Sequence, residues 1–120
     1  MFRNSIPWFF ENSKVPVVLS KFTPIEIGAI TIGPWVFSRG EMSLVTKNHE
    51  TIHWQQYIET GILGFIILYY SFYFWNLIKY RDGQVAYHMI PFEKEAYDND
   101  KNLNYLETRK RYSWLTKYGG

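Results

Sequence analysis

The residues best suited to chemistry lie in one pentapeptide. Residues 49–53 read His-Glu-Thr-Ile-His, so two of the three histidines of the chain stand four positions apart with Glu50 between them. Positions i and i+4 of an α-helix share one face, and both imidazoles can therefore reach a single metal ion. Glu50 would lie beside that ion, where a carboxylate can deprotonate a water molecule. The pattern predicts a metal site with hydrolytic chemistry.

Zinc is the cofactor that this donor set predicts. Neutral imidazoles and one carboxylate suit Zn²⁺, which brings no redox chemistry. A catalytic zinc site has three protein ligands and one open position, so a third ligand must come from elsewhere. Glu93 and Glu95, in a second predicted helix, are the candidates, and helical periodicity alone does not choose between them. The alternative that both are solvated acids at a helix N-terminus also stays open.

Three parts of the chain resemble elements of the small zincin metallopeptidases. Gln56 follows the pentapeptide at the position that completes a pattern similar to the HExxHxxQ signature. Residues 93–96, Glu-Lys-Glu-Ala, resemble the E-x-x-A element of gluzincin-type members. Residues 29–33 stand where such proteins place a β-strand before the metal helix. The resemblance covers about residues 25–100, and its most specific part is HETIH.

The resemblance implies a zinc-dependent hydrolysis of peptide or amide bonds by metal-activated water. It implies that His49 and His53 are zinc ligands, that Glu93 is the third ligand and that Glu50 is the general base. Many gluzincins follow the alanine of E-x-x-A with an aspartate that supports a ligand histidine. This chain has Tyr97 there, so the resemblance does not identify that supporting residue.

Three predicted elements position these residues. The Ile-rich run 25–37, broken at Gly33 and Pro34, predicts a β-hairpin. Ser43 predicts the N-cap of the helix that carries HETIH. Pro91 begins a last helix, and residues 79–91 before it read as a loop. The apolar residues of that last helix recur at spacings of three, four and seven: Phe92, Ala96, Leu103 and Leu106. The fold class is α+β, a single small zincin-like domain over residues 1–120.

Residues 60–78 form an uncharged segment between the two halves of the predicted site. As a helix, nineteen residues would extend about 28 Å, close to the hydrocarbon thickness of a bilayer. A simple span would leave His53 and Glu93 on opposite sides of the membrane, where they could not bind one ion unless the site lay within the membrane. Residues 69–75 are mostly aromatic, a composition that favours the membrane interface. We therefore expect a helix or helical hairpin that dips into one leaflet, or that covers the zinc helix in a soluble core or a homo-oligomer interface.

Composition narrows the classes of partner. The chain has 120 residues, a net charge of +2 and 20% aromatic residues, so we expect no nucleic-acid binding. The expected partners are a peptide or protein substrate, a membrane surface and a second copy of the chain.

We expect a cytoplasmic protein at the membrane periphery or monotopic in it, because neither N-terminal apolar patch has the length of a secretory signal. The alternative is a non-catalytic membrane-associated or assembly protein with a structural metal site or none.

Two further features bear on catalysis. Tyr87, His88 and Tyr97 lie near the third ligand in the sequence and are candidate donors to the oxyanion of a tetrahedral intermediate. Residues 27–32 could bind an extended peptide by strand addition, which presents a backbone carbonyl to a metal.

Overall fold

The computed structural model of the protein describes residues 7–20 and 28–119. Its α+β class confirms the prediction: a small mixed sheet precedes a mainly helical part. The elements in chain order are β1 (Trp8–Phe10), α1 (Val15–Ser20), β2 (Ala29–Ile32), β3 (Trp35–Ser38), α2 (Leu44–Thr60), α3 (Ile62–Tyr80), α4 (Gly83–His88), α5 (Pro91–Asn99), α6 (Tyr105–Thr108) and α7 (Ser113–Thr116).

The predicted β-hairpin is confirmed in strands β2 and β3, which pair antiparallel. Their turn contains Gly33 with a φ of 57°, a conformation that favours glycine. A Cβ at this position would lie 3.1 Å from Cδ1 of Ile62, so a side chain would also crowd the start of α3. β1 pairs parallel with β3, and the strand order β1-β3-β2 leaves β2 at an edge. Ile25 and Ile27 of the predicted strand region lie outside the described residues.

The helix that carries HETIH begins where the sequence predicts. The Ser43 hydroxyl accepts a hydrogen bond from the Thr46 amide at 3.1 Å, which satisfies one of the free N–H groups of the first turn of α2. Gly61, with a φ of 78°, ends α2 and leads directly into α3. The sharp change of direction at this glycine lets α2 and α3 pack against each other.

The uncharged segment forms one continuous helix, α3, rather than a helical hairpin. Among the described residues, α3 is the one helix long and apolar enough to cross a membrane by length and composition. Its inner face packs on an aromatic core in which the ring centroids of Phe65 and Phe92 are 4.5 Å apart. Trp114 of α7 completes this core, and its ring centroid lies 4.7 Å from that of Phe92. Burial of these large side chains is the main force that joins α2, α3 and α5.

Two predictions about the C-terminal half are wrong. Residues 79–91 are not a loop, because α3 continues to Tyr80 and Asp82 caps the short helix α4 by accepting from the amide of Gln84 at 2.9 Å. The last predicted helix ends at Asn99, so its apolar stripe does not reach Leu103, which is exposed. The Asn48 side chain of α2 donates to the carbonyls of residues 99, 100 and 102, and these bonds stabilise the turn that replaces the helix.

Candidate metal centre

Helices α2 and α5 bring the predicted ligands together. Oε1 of Glu93 lies 3.0 Å from Nε2 of His53 and 3.4 Å from Nε2 of His49. The two histidines are one turn apart on α2, as their spacing predicts, and Glu93 occupies the first turn of α5. One ligand atom from each of His49, Glu50 and His53 also lies within 4.8 Å of the others. This group could hold a metal ion.

The distances between these atoms fit a tetrahedral zinc ion. Zinc bonds of about 2.0–2.1 Å to nitrogen and oxygen place two tetrahedral ligand atoms about 3.3 Å apart. The two imidazole–carboxylate distances of 3.0 and 3.4 Å bracket that value. The side chains of His49, His53 and Glu93 are 12%, 7% and 5% exposed. The site is therefore compact and nearly dry, with its most open edge at His49.

Gln56 determines which nitrogen of His53 faces the site. Its side-chain amide donates to the Phe92 carbonyl at 3.0 Å and to Oε1 of Glu95 at 2.9 Å. The amide oxygen of Gln56 must then face Nδ1 of His53, which lies 2.7 Å away and carries the proton. Nε2 of the neutral ring is left with its lone pair directed at the site, as metal binding requires.

Asp100 orients the imidazole of His49 in the same way, and the sequence alone did not identify this residue. Its Oδ2 accepts from Nδ1 of His49 at 3.0 Å, the interaction that carboxylates provide to ligand histidines. Tyr97 stands where the resemblance expects this aspartate, and Asp100 supplies the carboxylate from just beyond the end of α5. The signal that could have found it is helical spacing, because Asp100 follows Glu93 by seven residues, or two turns.

Glu95, the other candidate for the third ligand, lies in a different set of contacts. Its Oε2 accepts from Nε of Arg109 and from the Tyr105 hydroxyl, both at 2.6 Å, and Gln56 donates to its Oε1. Arg109 also pairs with Glu59 of α2. The structure thus places Glu93 at the imidazoles and Glu95 in a buried ion-pair cluster behind Gln56.

Opposite charges perturb the ionisation of these groups. Burial lowers the pKa of each imidazole, but the charge and hydrogen bond of Glu93 outweigh burial, so the pKa of His49 is raised and that of His53 reaches about 9. Burial raises the pKa of Glu93, yet His53 and His49 reverse that effect and hold it well below its usual range. A metal ion must displace protons from these rings, so its binding releases protons and strengthens with rising pH.

Glu50 lies against the sheet and beside the histidines. It is buried, and the Thr31 hydroxyl of β2 donates to its Oε2 at 3.3 Å and to its backbone carbonyl at 3.2 Å. Burial raises the pKa of Glu50 above its usual value against the opposing effect of His53 and His49. A carboxylate in this environment can accept and return a proton nearer to neutral pH.

Helix α3 contributes a residue that no sequence pattern indicated. The Tyr69 hydroxyl donates to Oε2 of Glu93 at 2.7 Å, which leaves Oε1 facing the histidines. Burial and the charge of Glu93 raise the pKa of Tyr69 well above its ordinary value, so the phenol stays protonated. The uncharged segment therefore covers the site and also orients its carboxylate.

The three candidate donors to an oxyanion form one aromatic cluster at the open edge of the site. They are Tyr87, His88 and Tyr97. The ring of Tyr97 lies 4.5 Å from that of His49, and its hydroxyl is 3.0 Å from the Tyr87 hydroxyl. The ring of His88 lies 5.0 Å from that of Tyr97. Tyr97 is 45% exposed and is the member of the cluster in contact with a predicted ligand. Its role as a donor stays a prediction.

Comparison with known proteins adds no relative. No protein-family model matches the chain, and no curated protein or solved structure matches it either. The part of the zincin resemblance that the structure supports is the His49, Glu50 and His53 cluster on α2.

Replacement of Asp100 by alanine should weaken zinc binding by about 10–100-fold, because His49 loses the carboxylate that orients it and holds its Nδ1 proton. Competition with a chromophoric chelator measures this affinity. Asp98→Ala is the matched control, since Asp98 is exposed near the end of the same helix, and it should bind zinc as the wild type does. Equal affinities of the two variants would contradict the role of Asp100.

Proposed function

We propose that the protein is a zinc-dependent peptidase in which His49, His53 and Glu93 hold the metal and Glu50 is the general base. The observation that carries this proposal is the convergence of the two Nε2 atoms on one carboxylate oxygen of Glu93, at 3.0 and 3.4 Å. When bound, zinc supplies Lewis-acid chemistry, since it lowers the pKa of water to about 7 and polarises a carbonyl.

The protein's own residues supply orientation and proton transfer. Gln56 and Asp100 hold the two imidazoles in the tautomer that directs Nε2 at the site. Glu50 shares the α2 face of the histidines, and Thr31 orients its carboxylate through a hydrogen bond. Its raised pKa favours a proton shuttle between water and the leaving amine.

A peptide substrate suits the strand that lies against Glu50. β2 is an edge strand in the sheet of the described residues, and Thr31 of this strand contacts Glu50 directly. An extended peptide that pairs with the edge of β2 would lie near Glu50, and it would compete for the Thr31 carbonyl with the Tyr57 hydroxyl, which donates to it at 2.9 Å. Edge pairing depends on hydrogen bonds to a polypeptide backbone, so it favours a peptide over other amides.

A structural metal site is the second candidate, and one observation favours it. Glu50 offers an oxygen within 4.8 Å of ligand atoms of both histidines. Glu50 and Glu93 are equally buried, since each residue is 4% exposed. If Glu50 were a fourth ligand, the coordination would be closed, as in structural zinc sites.

Removing zinc from the protein and adding it back tests the proposed peptidase activity. We expect the purified chain to cleave members of a peptide library, to lose this activity after dialysis against a chelator and to recover it with zinc but not with magnesium. Cleavage that survives chelation would contradict the proposal. Zinc-dependent stability without cleavage at any zinc concentration would favour the structural site.

A further inference from the structure

The outer face of α3 is an extended apolar surface. Side chains on about half of the helix circumference are 37–73% exposed, and none of them is charged. They are Ile62, Leu63, Ile66, Ile67, Tyr70, Phe74, Trp75 and Ile78. A continuous apolar surface of this length marks a site of interaction with a membrane or a protein.

We propose that this outer face inserts into one leaflet of an anionic membrane, with the α3 axis parallel to the bilayer surface. The proposal does not depend on the peptidase activity. It rests on the exposed residues themselves, on the hydrogen bonding of the polar side chains of α3 and on the charges at its end.

Two polar side chains of α3, those of Ser71 and Asn76, make internal hydrogen bonds that need no water. Ser71, exposed beside the outer face, donates its hydroxyl to the Ile67 carbonyl at 2.7 Å. Asn76 points inward and donates to the Ala86 carbonyl at 3.1 Å. A hydrocarbon environment strongly penalises unsatisfied polar groups, so this pattern suits contact with lipid.

The charges at the end of α3 complement anionic headgroups. Lys79 follows Ile78 directly, Arg81 comes two residues later, and both are exposed, as is the single acid Asp82 after them. Trp75, one turn before Lys79, is 67% exposed. Tryptophan and basic residues together are typical of a membrane interface. Homodimer interfaces are also apolar, so a second copy of the chain is the alternative occupant that the experiments below distinguish from a membrane.

Packing along the inner face argues against a transmembrane orientation of α3. Phe65 packs on Phe92, Tyr69 bonds to Glu93 and Asn76 bonds to the backbone of α4. If α3 crossed the bilayer, the charged centre beside Tyr69 would lie near the middle of the hydrocarbon. A helix parallel to the surface keeps that centre about one helix diameter, roughly 10 Å, above the lipid.

Vesicle flotation tests the proposal on the purified full chain. We expect the wild type to float with vesicles of mixed phosphatidylcholine and phosphatidylglycerol and less with phosphatidylcholine alone. The double variant Leu63→Gln/Ile67→Gln should partition more than about tenfold less. The control Leu103→Gln/Leu115→Gln alters two side chains that are similarly exposed outside α3 and should float as the wild type does. Urea unfolding verifies that both variants remain folded.

The absence of native cysteine permits a test of orientation. Leu44→Cys and Lys101→Cys, made separately, lie before and after α3, and both should react fully with an impermeant maleimide outside sealed vesicles. Labelling of only one would show a span and overturn the proposal. A wild type that stays unbound, outer-face variants that float normally, or a dimer formed through α3 that does not bind vesicles would also overturn it.

Discussion

Glu50→Gln should lower the rate of peptide hydrolysis by about 10²–10⁴-fold and leave the zinc affinity unchanged. Glutamine has nearly the same shape and can still accept the Thr31 hydrogen bond, but it cannot take a proton from water. The loss should appear in the turnover rate at saturating zinc, because the change leaves His49, His53 and Glu93 in place. Steady-state cleavage and zinc competition on the same sample measure the two quantities.

The matched control is Glu107→Gln, since Glu107 is exposed on α6, and it should match the wild type in both measurements. If zinc affinity fell together with activity, Glu50 would be a ligand and the structural site would be favoured. If activity persisted in Glu50→Gln, the general-base assignment would be wrong.

Arg109→Met should destabilise the fold by about 3–5 kcal/mol, because it leaves two buried carboxylates without a counter-charge. Nε of Arg109 donates to Glu95 at 2.6 Å and its terminal nitrogen donates to Glu59 at 2.9 Å. The three side chains are between 0% and 4% exposed. Urea unfolding of the full chain measures the free energy of unfolding.

Arg111→Met is the control for this prediction, since Arg111 is exposed two residues later and its replacement should change stability by less than about 0.5 kcal/mol. Adding Glu59→Gln and Glu95→Gln to Arg109→Met should recover part of the loss by removing the unpaired charges. Equal stabilities of the Arg109 and Arg111 variants would contradict the role of the cluster.

The ion-pair cluster also connects to the metal centre through one side chain. Arg109 holds Glu95, Glu95 accepts from Gln56, and Gln56 accepts from His53. Arg109, from the C-terminal part of the chain, thereby supports the orientation of His53 on α2. This connection explains why two glutamates separated by one residue on α5 have different surroundings.

Local spacing was sufficient to predict the part of the site that lies on one helix. The four-residue separation of His49 and His53 dictates a shared face once Ser43 has begun the helix. The hairpin turn at Gly33 and the start of α5 at Pro91 are equally local, because backbone conformation at glycine and proline depends little on the rest of the fold.

The parts of the site that depend on contacts across the chain could not be predicted in this way. Tyr69 reaches the centre from the middle of α3, and nothing in its sequence neighbourhood indicates a partner on α5. Asp100 lies two turns after Glu93, a spacing that places it on the same side of α5 but does not identify His49 as its partner. The choice between Glu93 and Glu95 depends on Arg109, which is distant in sequence. The end of α5 at Asn99 likewise depends on Asn48 of α2, which competes for the carbonyls that a longer helix would use.

The most direct test of the central claim is a zinc titration of the metal-free wild type and Glu93→Gln under the same conditions. We expect each wild-type chain to bind one zinc ion. We also expect an affinity more than about 100-fold weaker in Glu93→Gln, since removal of a ligand should cost at least as much as removal of a residue that supports one. A wild type that binds no zinc, or a Glu93→Gln variant that binds it as tightly as the wild type, would contradict the assignment of His49, His53 and Glu93 as a metal centre.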